Sequence, residues 1–266
     1  MSIRSRFDLV IFDWAGTMID FGCQAPVTAL IEAFAAEGVA IDEVAARRDM
    51  GMAKSDHVQS LLRMPTIAAA WNARHGAPPD DRAVAVLLSL LEPLMREQAA
   101  RASTLIPGAR GCFDRLRADG LRVASSTGYT RTMMQGVLAR AAEQGYVPEH
   151  LVCSGETPFG RPSPLMIYKA CAELGVWPLS RVVKVDDAEA GIAEGKAAGA
   201  FTVGVASGNL IGLPLTAFES LPAFERDNRI ATARTALLAA GADIAISSVA
   251  ELYPALESVV AQSQSR

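Results

Sequence analysis

Short apolar segments alternate with helical segments along most of this chain, and this alternation limits the possible fold more than any other feature. Residues 9–12, 121–125, 181–185 and 200–205 are typical of buried strands, and a segment with helical spacing of apolar residues follows each of them. Strands joined through helices form right-handed crossovers and a parallel sheet with helices on both faces. The sequence therefore predicts an α/β protein.

One long region interrupts the alternation. Between the first strand and residue 102 the apolar spacing is helical, over residues 27–37, 42–48, 55–63, 65–75 and 80–102. We expect Pro93 to kink or split the last of these helices, because proline has no backbone N–H to donate. The sequence thus predicts an all-helical cap domain over residues 21–103, inserted into a core made of residues 1–20 and 104–266.

Composition narrows the range of functions. The net charge of −4 is spread without a basic block, so we expect no nucleic-acid partner. No apolar run approaches the roughly 18 residues that span a membrane, and the N-terminus carries no recognisable secretion signal, so we expect no membrane partner. The cysteines are scattered without a CxxC pair, which is typical of reduced thiols and favours a cytoplasmic location. They are Cys23, Cys112, Cys153 and Cys171.

Polar side chains follow the predicted strands at their carboxyl ends, where ligands bind in open α/β sheets. Asp13 follows the first strand, Thr127 the second, Arg161 the segment after the third, and Asp186-Asp187 the fourth. Carboxylates can hold Mg²⁺, and one carboxylate can act as a nucleophile on phosphorus. A hydroxyl and a cation can neutralise the charge of a transferring phosphoryl group. The set therefore favours phosphoryl transfer.

Each of these residues also has a purely structural interpretation. Asp13 could cap a turn, Thr127 could supply a turn hydroxyl, and Arg161 could lie in solvent. The Asp186-Asp187 pair could cap the helix that follows it. The order in which all of them occur at successive strand ends favours a shared site.

This order resembles the haloacid dehalogenase-like superfamily. The resemblance implies a Rossmann-like core with a mobile cap domain and a Mg²⁺-dependent aspartyl phosphotransferase. It assigns the metal to Asp13, Asp187 and the backbone carbonyl of Ala15, with Asp186 in support, directly or through water. The superfamily usually has a second aspartate, the general acid and base, at the position of Ala15. Some members carry a further acid at the position of Gly191, which leaves the surroundings of the metal open here.

Several motifs resemble one branch of that superfamily, the phosphonoacetaldehyde hydrolases or phosphonatases. The resemblance covers nearly the whole chain, cap domain included, and it implies a homodimer formed through cap helices. It also implies hydrolysis of phosphonoacetaldehyde to acetaldehyde and phosphate. The motifs are Asp13-Trp14-Ala15-Gly16-Thr17, Phe21-Gly22-Cys23, Met50-Gly51-Met52-Ala53-Lys54-Ser55-Asp56-His57, Thr127-Gly128-Tyr129-Thr130-Arg131, Gly160-Arg161-Pro162 and Lys184-Val185-Asp186-Asp187.

A lysine in the cap motif, Lys54, explains chemically why the acid at position 15 can be absent. Direct cleavage of a carbon–phosphorus bond expels a carbanion, and protonating an oxygen does not help. An imine between a lysine and the substrate aldehyde accepts the electron pair as an enamine, and a lysine of lowered pKa suits this role. The resemblance assigns the imine to Lys54 and the attack on phosphorus to Asp13. The alternative for Lys54 is a solvated lysine at a helix start.

The same resemblance implies roles for the other motif residues. His57 lies three residues after Lys54 on one helix face, either as a helper in proton transfer or as a structural histidine. We expect Thr127 and Arg161 to hold the phosphonate oxygens, and Met50 either to shape the path of the aldehyde or to pack in the core. The remaining residues predicted to bind substrate are Cys23, Gly51, Gly128 and Tyr129, of which Cys23 and Tyr129 could equally be packing.

Two other functions compete with this hypothesis. One is a phosphatase or mutase acting on a small phosphate ester, which the alanine at position 15 disfavours. The other is a non-catalytic phosphate-binding protein, which the intact set of Asp13, Lys54, Thr127, Arg161 and Asp187 disfavours.

Overall fold

A parallel β-sheet forms the centre of the protein. The structure is a computed structural model that describes residues 2–264, and within those residues the sheet has six strands in the order β3-β2-β1-β4-β5-β6. Every neighbouring pair is parallel. The predicted α/β class is therefore confirmed. The strands are β1 (Leu9–Phe12), β2 (Arg122–Thr127), β3 (His150–Cys153), β4 (Val182–Asp186), β5 (Phe201–Val205) and β6 (Ile244–Ile246).

Strand β1 lies at the point where the strand order reverses, with β2 on one side and β4 on the other. In such sheets a crevice opens outside the carboxyl ends of the strands at the reversal. Phe12 pairs with Ser125 of β2 and with Val185 of β4. The residues that come next on the three strands, Asp13, Ser126 and Asp186, therefore lie side by side at the edge of this crevice.

Both faces of the sheet are buried, which explains the continuous apolar run of β1. Val10 and Phe12 pack into the larger core cluster on one face, whereas Leu9 and Ile11 pack into a second cluster on the other. Alternate residues of a strand point to opposite faces, so a strand covered on both sides needs apolar residues at every position. Asp13, directly after β1, is the first residue that departs from this pattern.

A helical region separates β1 from β2. The chain leaves the core at Ile19 and returns at Leu105, and these two residues form an antiparallel bridge. Within the described residues, the region between them contains helices and no strand of the sheet, and α1 packs against α5. The domain boundaries given above stay a prediction. The helices are α1 (Gln24–Ala36), α2 (Glu43–Arg47), α3 (Lys54–Arg63), α4 (Pro65–His75) and α5 (Asp81–Arg101).

Pro93 does not split the last of these helices, because α5 runs unbroken through it, and the alternative of a kink stays a prediction. Pro93 is exposed, so the carbonyl that loses its N–H partner can bond to water instead. A buried stripe on the opposite face, which includes Leu87, Leu91 and Met95, holds the helix against the protein. Packing thus outweighs the local cost of the proline.

Within the described residues, seven further helices follow the inserted region, and several of them pack on the sheet. A short helix, α10, lies in the region between residues 206 and 221. The helices are α6 (Ala109–Ala118), α7 (Arg131–Glu143), α8 (Leu165–Leu174), α9 (Glu189–Ala198), α10 (Leu215–Glu219), α11 (Ala223–Ala239) and α12 (Leu252–Gln264).

Two further findings bear on the expectations from composition. In the described part of the chain, no helix is both long enough and apolar enough to cross a membrane. The four cysteines are buried and unpaired.

Candidate active site

Three aspartates meet at the carboxyl end of β1. Asp13, Asp186 and Asp187 are buried, and each offers one carboxylate oxygen that lies within 4.8 Å of the others. The pairing of β1 with β4 brings them together, since the Asp13 backbone N–H donates to the carbonyl of Val185 at 2.9 Å. The residues predicted to hold a metal are therefore adjacent, and Ala15 lines the same cavity as Asp13 and Asp187.

Asp187 is enclosed by backbone. Its carboxylate accepts hydrogen bonds from the Thr17 hydroxyl at 3.2 Å and from the Asn209 backbone N–H at 2.6 Å. A Cβ atom on Gly16 would lie 2.0 Å from this carboxylate, and one on Gly208 would lie 2.2 Å from Asp187. Gly16 also has a φ of +88°, which L side chains rarely adopt. Glycine is required at both positions because the chain passes so close to the aspartate.

Arg161 joins the first aspartate to a buried network behind the sheet edge. Its Nη1 donates to Oδ1 of Asp13 at 2.8 Å, and its Nε donates to Glu194 at 2.9 Å. Its Nη2 donates to the carbonyl and hydroxyl oxygens of Ser126, at 2.8 and 3.0 Å. Its Nη1 also donates to the Gly51 carbonyl at 3.4 Å. Five hydrogen bonds from one planar group leave Arg161 little freedom, so the cation is fixed beside Asp13.

A second buried cation, Lys184, was not predicted as a site residue. Its Nζ lies 2.9 Å from Asp186 and 3.3 Å from Glu194, and it donates to the Ser126 hydroxyl at 2.9 Å. The signal was present in the sequence, because a lysine inside the apolar strand β4 needs buried partners. The sequence gives no comparable indication for Glu194, because its position in a helix does not show that it contacts Arg161.

The acids outnumber the cations in this cluster. Three buried carboxylates, those of Asp13, Asp186 and Glu194, share Arg161 and Lys184. Asp187, the fourth buried acid, lies beside Asp13 and Asp186 and pairs with neither cation in the described residues. Burial, and then the charge of Asp186, raises the pKa of Asp13 to about 6 against the opposing effect of Arg161. Burial and the neighbouring Asp13 raise the pKa of Asp187 well above its usual range. Oxygen donors with this excess of negative charge fit a hard divalent cation such as Mg²⁺.

Gly191 explains how Asp186 is accommodated. A Cβ at this position would lie 1.9 Å from Oδ2 of Asp186. The Asp186 carboxylate therefore occupies the volume into which a side chain at 191 would project. Its Oδ1 accepts a hydrogen bond from the Ala188 backbone N–H at 3.1 Å, which holds it there. In this chain the position of the Asp186 carboxylate therefore requires a glycine at position 191.

The cap domain contributes Lys54, the first residue of α3, to the same place. Lys54 is buried and lines a small cavity together with Asp13 and Arg161. Burial lowers the pKa of Lys54 to about 8. The positive end of the α3 dipole acts in the same direction on an ammonium group at the first helical position. The other residues that line the cavity are Ala15, Cys23, Pro26, Met50, Gly51, Thr127, Gly128, Tyr129, Asp187 and Ala188.

The residues predicted to bind substrate therefore surround one cavity, but His57 does not reach it. His57 is fully buried in α3, and neither ring nitrogen makes a hydrogen bond of ordinary geometry within the described residues. Burial, and then the charge of Lys54, lowers the pKa of His57 to about 3, an effect that a polar contact with the Ala46 backbone offsets only in part. The imidazole is neutral, and its predicted role in proton transfer stays a prediction.

Tyr129 and Cys23 form the wall next to the lysine. The Lys54 Nζ lies 5.7 Å from the centre of the Tyr129 ring. Cys23 precedes α1 with a φ of +52°, and the carboxylate of Asp20 accepts the backbone N–H groups of Gln24 and Ala25, both at 2.9 Å. Burial raises the pKa of the Cys23 thiol well above its usual range, so Cys23 is a neutral lining group.

The cap domain sits directly on the core around this cavity. A Cβ on Gly128 would lie 2.7 Å from the carbonyl oxygen of Met52, and one on Gly160 would lie 3.0 Å from the Cβ of Ala53. The absence of side chains at these two core positions lets the turn before Lys54 approach closely. The site is therefore assembled from both parts of the chain.

The fold and this site define a class of protein. Residues 7–199 match the family model described as haloacid dehalogenase-like hydrolase. The chain belongs to this family of hydrolases.

Its relatives identify a branch of the family. A phosphonoacetaldehyde hydrolase of Paraburkholderia phytofirmans is 42% identical over 254 residues, which cover 95% of each chain. A phosphonoacetaldehyde hydrolase of Bacillus cereus is 38% identical over 258 residues, which cover 97% of this chain and 98% of that protein. The crystal structure of a phosphonoacetaldehyde hydrolase-like protein from Oleispira antarctica matches with a TM-score of 0.93 at 39% identity, over 96% of this chain and 92% of that one. Within the family, the chain belongs with the phosphonoacetaldehyde hydrolases.

Proposed function

We propose that this protein hydrolyses the carbon–phosphorus bond of phosphonoacetaldehyde through an imine on Lys54 and an aspartyl-phosphate on Asp13. The observation that supports it most directly is that Lys54, buried and with a lowered pKa, lines the same cavity as Asp13. Hydrolysis of a phosphate ester needs no imine, so it does not require such a lysine. At position 15, where an ordinary member of the family would carry its general acid, the side chain is only the methyl group of Ala15.

Arg161 and Thr127 bind the phosphonate in this proposal. Arg161 is a fixed cation at the cavity wall, and the Thr127 hydroxyl oxygen accepts a hydrogen bond from the Tyr129 backbone N–H at 3.2 Å. Because that oxygen is already an acceptor, its hydrogen is free to donate to a phosphonate oxygen. Both groups neutralise the negative charge that would otherwise repel the attacking carboxylate.

Lys54 then forms the imine. The neutral amine attacks the aldehyde carbon, water leaves, and the nitrogen of the resulting iminium lies two bonds from the carbon attached to phosphorus. The lowered pKa of about 8 makes the neutral amine available near physiological pH.

Asp13 attacks phosphorus next. Its Oδ1 is held by Arg161, and its Oδ2 makes no hydrogen bond within the described residues, so Oδ2 is the nucleophile. The new O–P bond forms as the C–P bond breaks, and the released electron pair moves into the enamine. Water hydrolyses the aspartyl-phosphate to phosphate and restores the carboxylate. Protonation of the enamine and hydrolysis of the imine release acetaldehyde and regenerate Lys54.

Mg²⁺ would be held by Asp13, Asp187 and the Ala15 carbonyl, with Asp186 in support. When bound, it supplies positive charge that brings the phosphonate and the Asp13 carboxylate together. The cluster of four buried acids and two cations supports this assignment.

We further propose a cytoplasmic homodimer, as the resemblance implies.

Turnover of phosphonoacetaldehyde tests the proposal. The wild-type protein should release phosphate and acetaldehyde in equal amounts and require Mg²⁺. Lys54→Arg keeps the charge but cannot form an imine, so it should release neither product. Equal turnover by this variant would exclude the mechanism, and absence of turnover in the folded, Mg²⁺-loaded wild type would exclude the function.

A further inference from the structure

Arg47, the last residue of α2, joins three segments that meet beside the candidate active site. Its Nη1 donates to the carbonyl oxygens of Gly22 at 2.9 Å and Cys23 at 3.3 Å. The same nitrogen donates to Oδ1 of Asn209 at 3.3 Å, and Nη2 donates to the carbonyl of Gly212 at 3.3 Å. One guanidinium of the cap domain thus connects the linker into the cap domain with a loop of the core.

These contacts need an arginine in particular. The side chain is only 13% exposed, and its nearest carboxylate, Glu43, lies 3.9 Å away and is itself largely exposed. The charge of Arg47 is therefore directed mainly at uncharged oxygens on several sides. A planar group with donors on two forked nitrogens can reach them together, which the single ammonium group of a lysine cannot. The linker and loop are also in close contact, since a Cβ on Gly22 would lie 2.1 Å from the carbonyl oxygen of Leu213.

Asn209 connects this junction to the acidic cluster. Its side chain faces Arg47, because its Oδ1 accepts from the guanidinium and its Nδ2 donates to the Arg47 carbonyl at 3.5 Å. Its backbone N–H points the other way and donates to Oδ2 of Asp187 at 2.6 Å. Asn209 is buried, so neither interaction is readily replaced by water. The orientation of its peptide group is set from both sides.

We propose that Arg47 is a positioning residue that makes the orientation of the Asp187 carboxylate depend on closure of the cap domain. With the cap domain on the core, Arg47 holds Asn209 and the Asn209 N–H holds Asp187. When the cap domain moves away, the guanidinium leaves Asn209 and Gly212, and the loop loses its anchor. Asp187 is then fully oriented only when Lys54 is also in place. This inference rests on the proposed function in treating Asp187 as a residue of the reaction site.

Hydrogen exchange tests the physical link without any assay of activity. In Arg47→Gln, the peptide that contains Asn209 should exchange its amide hydrogen at least tenfold faster than in the wild type, because the loop has lost its anchor. Arg48→Gln is the matched control, since Arg48 is exposed and makes no side-chain hydrogen bond within the described residues. Equal exchange at Asn209 in both variants would overturn the proposal.

Kinetics test the functional link. A displacement of a reacting group by about 1 Å can cost about 10²-fold in rate, so Arg47→Gln and Asn209→Ala should each lower kcat by about 10- to 100-fold, with a smaller change in KM. The double variant should be no slower than the slower single one, because both break one chain of contacts. Multiplied effects, or a kcat equal to that of Arg48→Gln, would overturn the proposal.

A further variant covers the case in which Arg47→Gln does not fold. Arg47→Lys retains the charge without the fork, and it should show the same faster exchange at Asn209 and a similar loss of kcat. If Arg47→Lys had the wild-type exchange rate at Asn209 and the wild-type kcat, the charge of Arg47 alone would be enough, and the proposal would be overturned. If the wild type does not turn over phosphonoacetaldehyde, the proposed function fails, whereas the exchange experiment still decides the link between Arg47 and Asn209.

Discussion

Lys54 and Asp13 line one cavity although they come from different parts of the chain. Asp13 follows the first strand of the sheet, and Lys54 begins a helix of the inserted region. Each is placed by its own local structure, and the two meet only because the turn before Lys54 packs against Gly128 and Gly160. The chemistry of the proposed reaction therefore depends on closure of the cap domain over the core.

The pH dependence should report the titration of Lys54. Its pKa is lowered to about 8 by burial, and only the neutral amine attacks the aldehyde, so the active fraction rises with pH. We expect kcat/KM to fall about tenfold from pH 9 to pH 7 at saturating Mg²⁺. Labelling of Lys54 by an amine-specific reagent should have the same midpoint. A midpoint near the ordinary lysine pKa of about 10.5 would contradict the burial of this amine.

Removing the nucleophile should separate the two halves of the reaction. Asp13→Asn keeps a side chain of similar shape beside Arg161 but cannot form the aspartyl-phosphate. Phosphate release should fall by at least about 10⁴-fold, whereas imine formation on Lys54 should persist. Phosphate assays and reductive trapping on the same sample measure both. Substantial phosphate release by this variant would show that Asp13 is not the nucleophile.

Asp186 and Gly191 should tolerate substitution only when both are changed together. Gly191→Asp introduces a side chain whose Cβ would lie 1.9 Å from the Asp186 carboxylate, and it adds a like charge. We expect it to destabilise the protein by roughly 2–4 kcal/mol, the range typical of overpacking combined with a buried unpaired charge. Thermal unfolding measures this loss.

The matched variant for that experiment carries both changes. Asp186→Gly with Gly191→Asp restores one acid and one glycine to the same volume, so it should recover most of the lost stability. A double variant as unstable as Gly191→Asp would contradict the mutual dependence of these positions.

Phosphate monoesters should be poor substrates. Their leaving group needs a proton from a general acid, and Ala15 supplies none to the cavity. General acid catalysis contributes about 10²- to 10⁴-fold, so turnover of small phosphate esters should be lower than that of phosphonoacetaldehyde by at least this factor. Comparable kcat/KM values for the two substrate classes would favour the phosphatase alternative.

Much of the site was predictable because parallel strands order their carboxyl ends. Once Asp13, Thr127 and Asp187 follow strands of one sheet, the pairing of those strands brings them together without further information. Lys54 was predictable only through its motif, since no local pattern tells that this helix start faces the core. The chemistry of an imine then explained why the motif carries a lysine.

The remaining features depend on contacts between distant segments. The ion pair of Lys184 and Glu194 forms only because α9 packs on β4. The helix α5 continues through Pro93 because its buried face packs against the protein. For His57, the sequence pattern predicts a position that the structure does not show. Its spacing from Lys54 predicts a shared helix face, yet the lysine reaches the cavity and the imidazole stays in the core.

Reductive trapping of the imine tests the central claim most directly. The protein is incubated with phosphonoacetaldehyde, treated with borohydride and digested, and the peptides are mapped by mass. We predict one added two-carbon group, or its phosphonate precursor, on Lys54, and no adduct in Lys54→Arg. Attachment to another lysine, or no adduct while phosphate and acetaldehyde are released at full rate, would contradict the mechanism.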